Sequence, residues 1–208
     1  LGDVYKRQME GEVGRADHIR DAFAKLGFTE VQLFNYTHSL NDTPDTVGCA
    51  IARKTLVRGG RQVTIIGAFL RGSGYGAEWS GNLHAGPGSA HVGFVTAARQ
   101  LVEKIRAYVQ ASAKRQPLGT LKLWMGGYSR GGGVANLVAA RLPAVLPQLE
   151  KKNTFVYTFA APASLTAADC PDLQQDYDNN HAADGRLKKD WGTSNICLLY
   201  TSPSPRDG

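Results

Sequence analysis

The chain has 208 residues, 42% of them hydrophobic, and carries 24 Lys and Arg against 18 Asp and Glu, a formal charge of +6. That is enough chain for one domain with a sizeable core, and too apolar for a disordered or collagen-like class. No apolar run approaches the length of a transmembrane segment, and the basic residues are scattered, which reads as a solvated basic surface with no nucleic-acid footprint, able at most to make transient contact with a lipid surface.

The two ends read differently from the middle. Residues 1–8 contain DVYKRQ, and residues 197–208 contain CLLYTSPSPRD. Back-translated, these match the end sequence and adapter of a transposase-based DNA library, in opposite orientations. The expectation is an adapter-like artefact at 1–8 and at 197–208, and a partial domain over 9–196. Cys197 then drops out of the cysteine count. Cys49 and Cys170 remain, too few to define a disulfide framework or a redox compartment. The compartment is not readable from the sequence.

In chain order, Arg15 to Leu26 places Ile19, Ala22, Phe23 and Leu26 at helical spacing, with Gly27 as a stop. VQLFNY reads as a short strand. TVGCAIARKTLV and RQVTIIGAFL flank RGG and predict an antiparallel hairpin. GSGYGAEWSGNLHAGPGS is a glycine-rich loop. Ala90 to Lys114 predicts a long helix with Phe94, Ala98, Leu101, Ile105 and Val109 on one face. LKLWMGG is a strand, Arg130 to Leu142 a helix and TFVYTFAAP another strand. Ala163 to Thr193 is polar, and a further strand begins near Thr193 to Ile196. Strands alternating with helices after a hairpin predict an α/β layered sheet with an antiparallel portion at its start.

One join carries chemistry. Gly127-Tyr128-Ser129-Arg130-Gly131 fits G-x-S-x-G between an apolar strand and a helix rich in small residues. A sharp strand-to-helix turn lifts a serine hydroxyl clear of the sheet. Gly127 and Gly131 remove side chains that would collide, and Ala135, Ala139 and Ala140 let the helix sit close. The N–H of Arg130, at the helix start, points toward an oxygen that becomes negative on carbonyl attack. The bland alternative is a tight turn with an incidental serine.

Other segments sharpen this reading. VTIIGAFL ends in Arg71-Gly72-Ser73, followed by Trp79 and Asn82, and AHVGF opens the long helix. With GGYSRGG and YTFAAP, these pieces in this order resemble the class 3 lipase family of α/β-hydrolases, over roughly Thr46 to Pro162. The resemblance implies an α/β-hydrolase-like, mostly parallel sheet with an antiparallel N-terminal hairpin, flanked by helices. It implies a lipase or carboxylesterase acting on lipid esters through an acyl-enzyme. Residue by residue, Ser129 matches the nucleophile, Ser73 the oxyanion-loop residue and Arg130 the second backbone donor. His91 matches a structural histidine. The sequence departs from the family where histidine often precedes the serine, here Tyr128, and where leucine often follows it, here Arg130. The Arg130 side chain would then stand beside the approach of acyl chains. No metal or organic cofactor is implied.

A serine needs a base, normally a histidine oriented by a carboxylate, and in this superfamily both follow the serine in the chain. The acid is expected after the strand that begins near Ile196, so both partners are expected beyond 9–196, leaving these 208 residues a poor enzyme. His181 and Asp169, Asp172, Asp176, Asp178, Asp184 and Asp190 read as solvated loop residues. His18, His38, His84 and His91 precede the serine. Two rivals stand beside the enzyme. GSGYGA matches a dinucleotide fingerprint, but Pro87 and further glycines follow where a helix should open. A non-catalytic binding module with this fold is the alternative, separable by whether an Asp and a His follow in the intact reading frame.

Overall fold

The computed structural model describes residues 16–36, 45–72, 92–159, 161 and 196–197. A helix, α1, covers 16–25. Strands β1 (Thr29–Phe34), β2 (Cys49–Arg58) and β3 (Arg61–Leu70) follow, then helix α2 (Val92–Arg115), β4 (Thr120–Tyr128), helix α3 (Arg130–Val145), β5 (Thr154–Phe159) and a two-residue β6 (Ile196–Cys197). The strands form one sheet in sequence order. β1, β2 and β3 are antiparallel neighbours, and β3, β4, β5 and β6 run parallel. This is the expected mixed α/β sheet, and β6 lies where the sequence places a further strand.

Local chemistry explains the elements. The β2–β3 hairpin turns at Gly59 and Gly60, both with positive φ (57° and 71°), the conformation a two-residue hairpin turn requires. α2 buries Phe94, Ala98, Leu101, Ile105 and Val109, each at most 4% exposed, as its spacing predicts. Each large side chain so buried contributes about 1.5–3 kcal/mol. α2 and α3 pack together over Cys49, Ile51, Ile66, Leu123, Met125 and Val156, the main core. Burial pushes the Cys49 thiol far up from its ordinary pKa, so it stays protonated and inert. α3 continues past the expected Leu142 to Val145 despite Pro143. The missing proline N–H falls in the last turn, and Leu146 N–H still closes on the Leu142 carbonyl at 2.8 Å.

α1 covers the opposite face. Phe23 packs edge-on against Phe28 and Phe69, with ring centroids 5.4 and 5.7 Å apart, and Phe69 meets Trp124 at 4.9 Å and 87°. Leu26, placed on the buried face by spacing, is 50% exposed, because the helix ends at residue 25 and Leu26 belongs to the turn. Ala22 is exposed as well. At the sheet's first edge, Glu30 is paired with Arg53 (3.2 Å) and with Arg115, tying β1 to β2 and α2. The Tyr108 hydroxyl donates to the Glu30 carbonyl (2.9 Å), and burial, with the Glu30 charge, pushes its pKa up to about 12. Among the described residues no helix is long and apolar enough to cross a membrane.

Candidate active site

The parallel strands end at one edge of the sheet. Pairing of Leu70 with Gly127 and of Tyr128 with Phe159 sets the ends of β3, β4 and β5 side by side. The chain then reverses from β4 into α3 within one residue, Ser129. Its backbone is at φ 51°, ψ −123°, a positive φ outside the regions that non-glycine residues favour. Such a conformation costs on the order of 1–3 kcal/mol and persists only where its surroundings enforce it. They do so here. The Ser129 N–H donates to the Phe159 carbonyl (2.8 Å), and the Ser129 carbonyl accepts from the N–H groups of Gly132 (2.9 Å) and Gly133 (3.1 Å).

Serine at a helix N-cap ordinarily turns its hydroxyl back onto the first amides. Ser129 occupies the N-cap of α3 and makes no such side-chain bond. The side chain is half-buried, reaching neither into the core nor fully into solvent. The N–H of Arg130 opens the helix, at the end where amide dipoles favour negative charge.

The glycines have specific neighbours. A Cβ on Gly127 would sit 2.4 Å from the Gly131 carbonyl oxygen. A Cβ on Gly131 would sit 2.3 Å from the Arg71 carbonyl oxygen and 2.7 Å from that of Leu70. The collision expected across the turn is therefore only half of the constraint; the end of β3 supplies the other half. A Cβ on Gly132 would meet Ala161 at 2.8 Å, which brings α3 against the chain leaving β5. Ala135 and Ala139 are buried as expected, whereas Ala140 is half-exposed, on the far side of the helix. Gly72 adjoins the elbow, since a Cβ there would lie 3.0 Å from the Tyr128 ring and 3.7 Å from Ser129 Cβ.

Ser73 follows Gly72 directly and, with His91, Trp79, Asn82 and the rest of the GSGYGA loop after Gly72, lies outside the described residues. So do His181 and the aspartates of the polar stretch. Of the histidines, His18 alone is described, and it is exposed on α1, across the sheet from α3. A histidine base is therefore not among the described residues.

The Arg130 side chain does not stand where the sequence suggested. It is 2% exposed, its Nε and one terminal nitrogen donate to the Thr46 carbonyl (3.3 and 3.2 Å), and its guanidinium lies over the Phe94 ring at 5.1 Å. It thus fastens the first residue of α3 to the segment before β2 and to the first turn of α2. Sequence reasoning missed this because Thr46 lies 84 residues away and a residue after the serine reads as exposed. Tyr128 is instead the exposed neighbour, at 61%. It lines, with Phe69, Leu70, Trp124, Tyr157 and Phe159, an open apolar groove of about 550 Å³ that starts beside the elbow.

The backbone strain gives a direct stability test. Glycine tolerates this dihedral region, so Ser129→Gly is expected to stabilise the fold by about 1 kcal/mol, net of the entropy glycine adds to the unfolded chain. That corresponds to a rise in Tm of about 3 °C in thermal unfolding. A fall in Tm would mean that Ser129 is not held under strain.

The family model for lipase (class 3) matches residues 70–178, just over half of the chain, from the end of β3 through the elbow and beyond β5. No curated protein matches the sequence. Among solved structures the chain is similar to a fungal lipase in complex with an inhibitor, at 22% identity and TM-score 0.50, covering 70% of this chain and 54% of that one. It is similar to a triacylglycerol lipase whose catalytic centre is formed by a serine protease triad, at 21% identity and TM-score 0.52, covering 72% and 54%. A lipase from Rhizopus microsporus var. chinensis is 18% identical with TM-score 0.50, covering 71% and 49%. The chain spans about half the length of each of these, and at such identities the likeness is one of fold. By the family model and the shared α/β-hydrolase-like sheet, the chain belongs to the class 3 lipase family.

Proposed function

We propose that the protein is a serine carboxylic-ester hydrolase of lipid esters, working through an acyl-enzyme on Ser129. The observation that carries this reading is the backbone of Ser129, held at φ 51°, ψ −123° on a strand-to-helix corner with its hydroxyl uncommitted to the helix cap. In the reaction, Ser129 Oγ attacks the ester carbonyl as its proton passes to a base. The carbonyl oxygen becomes negative and receives hydrogen bonds from the Arg130 N–H and from Ser73. Collapse expels the alcohol, and water then releases the acid from the serine. One well-placed donor to that oxygen is worth about 3 kcal/mol in the transition state. The closeness of Gly72 to Ser129 supports the part given to Ser73. The apolar groove beside Tyr128 is within the size range of ligand sites and suits an acyl chain.

Gly127 and Gly131 serve as the elbow's clearance and Arg130 as its anchor. No metal or organic cofactor enters the proposed reaction. Incubation of the protein of the intact reading frame with a fluorophosphonate probe, followed by peptide mass spectrometry, tests it. The expected result is a single adduct on Ser129 and release of fatty acid from dispersed triacylglycerol. A protein that carries Ser129 intact, takes no label and releases no acid would instead be a binding module with this fold.

A further inference from the structure

The first turn of α3 is Arg130-Gly131-Gly132-Gly133, so Arg130 brings the one side chain that can hold it. Glycine has the freest backbone and is among the poorest helix formers. Left to itself, such a turn frays where the elbow needs a fixed direction. The Ser129–Arg130 peptide is trans and planar, so its carbonyl and its N–H point opposite ways. The carbonyl is turned into the helix by the N–H groups of Gly132 (2.9 Å) and Gly133 (3.1 Å). The Arg130 N–H is therefore aimed out of the helix end, on the side of the serine.

What steadies this turn is the guanidinium. It donates twice to the Thr46 carbonyl (3.3 and 3.2 Å) and lies over the Phe94 ring at 5.1 Å. Both partners belong to fastened parts of the fold. Val47, next to Thr46, is buried, and its carbonyl accepts from the Asn35 side-chain amide (3.2 Å). Phe94 is buried in the first turn of α2. A planar guanidinium presents two donors and a flat face at once, which a lysine ammonium does not. The arrangement goes against the local rules of a helix start. A cation there opposes the helix dipole, and α3 has no acidic residue in its first turn. Burying a charge is costly as well. A leucine at this position would carry neither cost. Departures of this kind gather at functional sites.

We propose that the Arg130 side chain is a positioning residue for ester hydrolysis: by pinning the triglycine turn to Thr46 and Phe94, it keeps its own amide aimed at the oxyanion. The inference rests on the proposed reaction at Ser129 and goes beyond it, since that reaction uses only the backbone N–H of Arg130. The residue is 2% exposed, so its guanidinium acts through the backbone and not on the substrate. A hydrogen bond weakens steeply as it loses alignment, and a displacement of about 1 Å at a reacting centre costs about a hundredfold in rate. The loss falls on the transition state, where the oxygen is negative, and spares ground-state binding.

Kinetics per active site decide the matter, on the protein of the intact reading frame and its Arg130→Met, Arg130→Lys, Phe94→Leu and Arg130→Met/Phe94→Leu variants. Each preparation is titrated to completion with a fluorophosphonate, so that rates refer to labelled Ser129 and misfolded protein drops out. On a soluble short-chain ester, Arg130→Met should lower kcat about a hundredfold with KM within about twofold. Arg130→Lys keeps a donor and should recover part of this, to about tenfold below the parent. An alkylboronic acid, whose adduct on serine carries the negative oxygen, should bind more weakly by the factor that kcat falls. Phe94→Leu should lower kcat about fivefold, and the paired variant should be no slower than Arg130→Met alone. A merely structural Arg130 would lower the titrated fraction and leave kcat per site unchanged, which overturns the proposal. So does full recovery by lysine, or losses that multiply in the paired variant. An active Ser129→Ala variant would instead remove the reading of Ser129, and this inference with it.

Discussion

In the protein of the intact reading frame, Ser129→Ala is expected to abolish ester hydrolysis, lowering kcat by at least about 10⁴-fold while the fold stays intact. The size of the effect follows from the role. An acyl-enzyme route has no substitute for its nucleophile, so what remains is the slow attack of water helped by the oxyanion donors. Alanine keeps a Cβ at the strained position, so no stability is gained and the loss is one of chemistry. Steady-state kinetics on a soluble short-chain ester, with circular dichroism on the same samples, checks it. A variant that retains even a tenth of the activity would place the nucleophile elsewhere. The Ser129→Gly variant complements it, for it should be as inactive as alanine and yet more stable than the parent.

The second large effect is steric. Gly131 lies in a helix, where alanine is ordinarily preferred to glycine by about 1 kcal/mol. Here that preference is overridden. The new Cβ would stand 2.3 Å from one carbonyl oxygen and 2.7 Å from another, both in the main chain at the end of β3. Main-chain atoms in a sheet cannot swing aside as a side-chain tip can, so α3 must move off the strand. Gly131→Ala is expected to cost about 4 kcal/mol, a fall in Tm of about 12 °C, and to disorder the elbow with it. Gly127→Ala should behave alike, given 2.4 Å to the Gly131 oxygen. Gly59→Ala is the control. It has positive φ but nothing within 4 Å, so it should cost only about 1 kcal/mol. Equal costs at Gly59 and Gly131 would mean that the elbow glycines serve only backbone freedom.

Much of this was legible because it is periodic or local. The α2 stripe from Phe94 to Val109 follows from helical spacing, and the hairpin from two strand patterns around Arg58-Gly59-Gly60. The elbow is local too: five residues, a strand before and small residues after. Contacts that join distant parts of the chain were not legible. Nothing in the sequence near Arg130 says that its guanidinium reaches Thr46 and Phe94. Nothing near Gly131 says that it faces Arg71. Both depend on the register of β3 against β4, which a sequence pattern does not set. Leu26 shows a different failure. Its spacing suits the buried face of α1, but the helix stops one residue too soon for that spacing to count. The family resemblance, read from R-G-S and G-x-S-x-G in order, supplied the expectation of an oxyanion loop at Ser73, which local chemistry alone did not.

The central claim is a geometry, and a crystal structure of the phosphonylated protein tests it most directly. The phosphonyl oxygen on Ser129 should lie about 2.7–3.1 Å from the amide nitrogens of both Arg130 and Ser73. A phosphonyl oxygen turned to solvent, or a Ser73 amide well outside hydrogen-bond reach of it, would contradict the account.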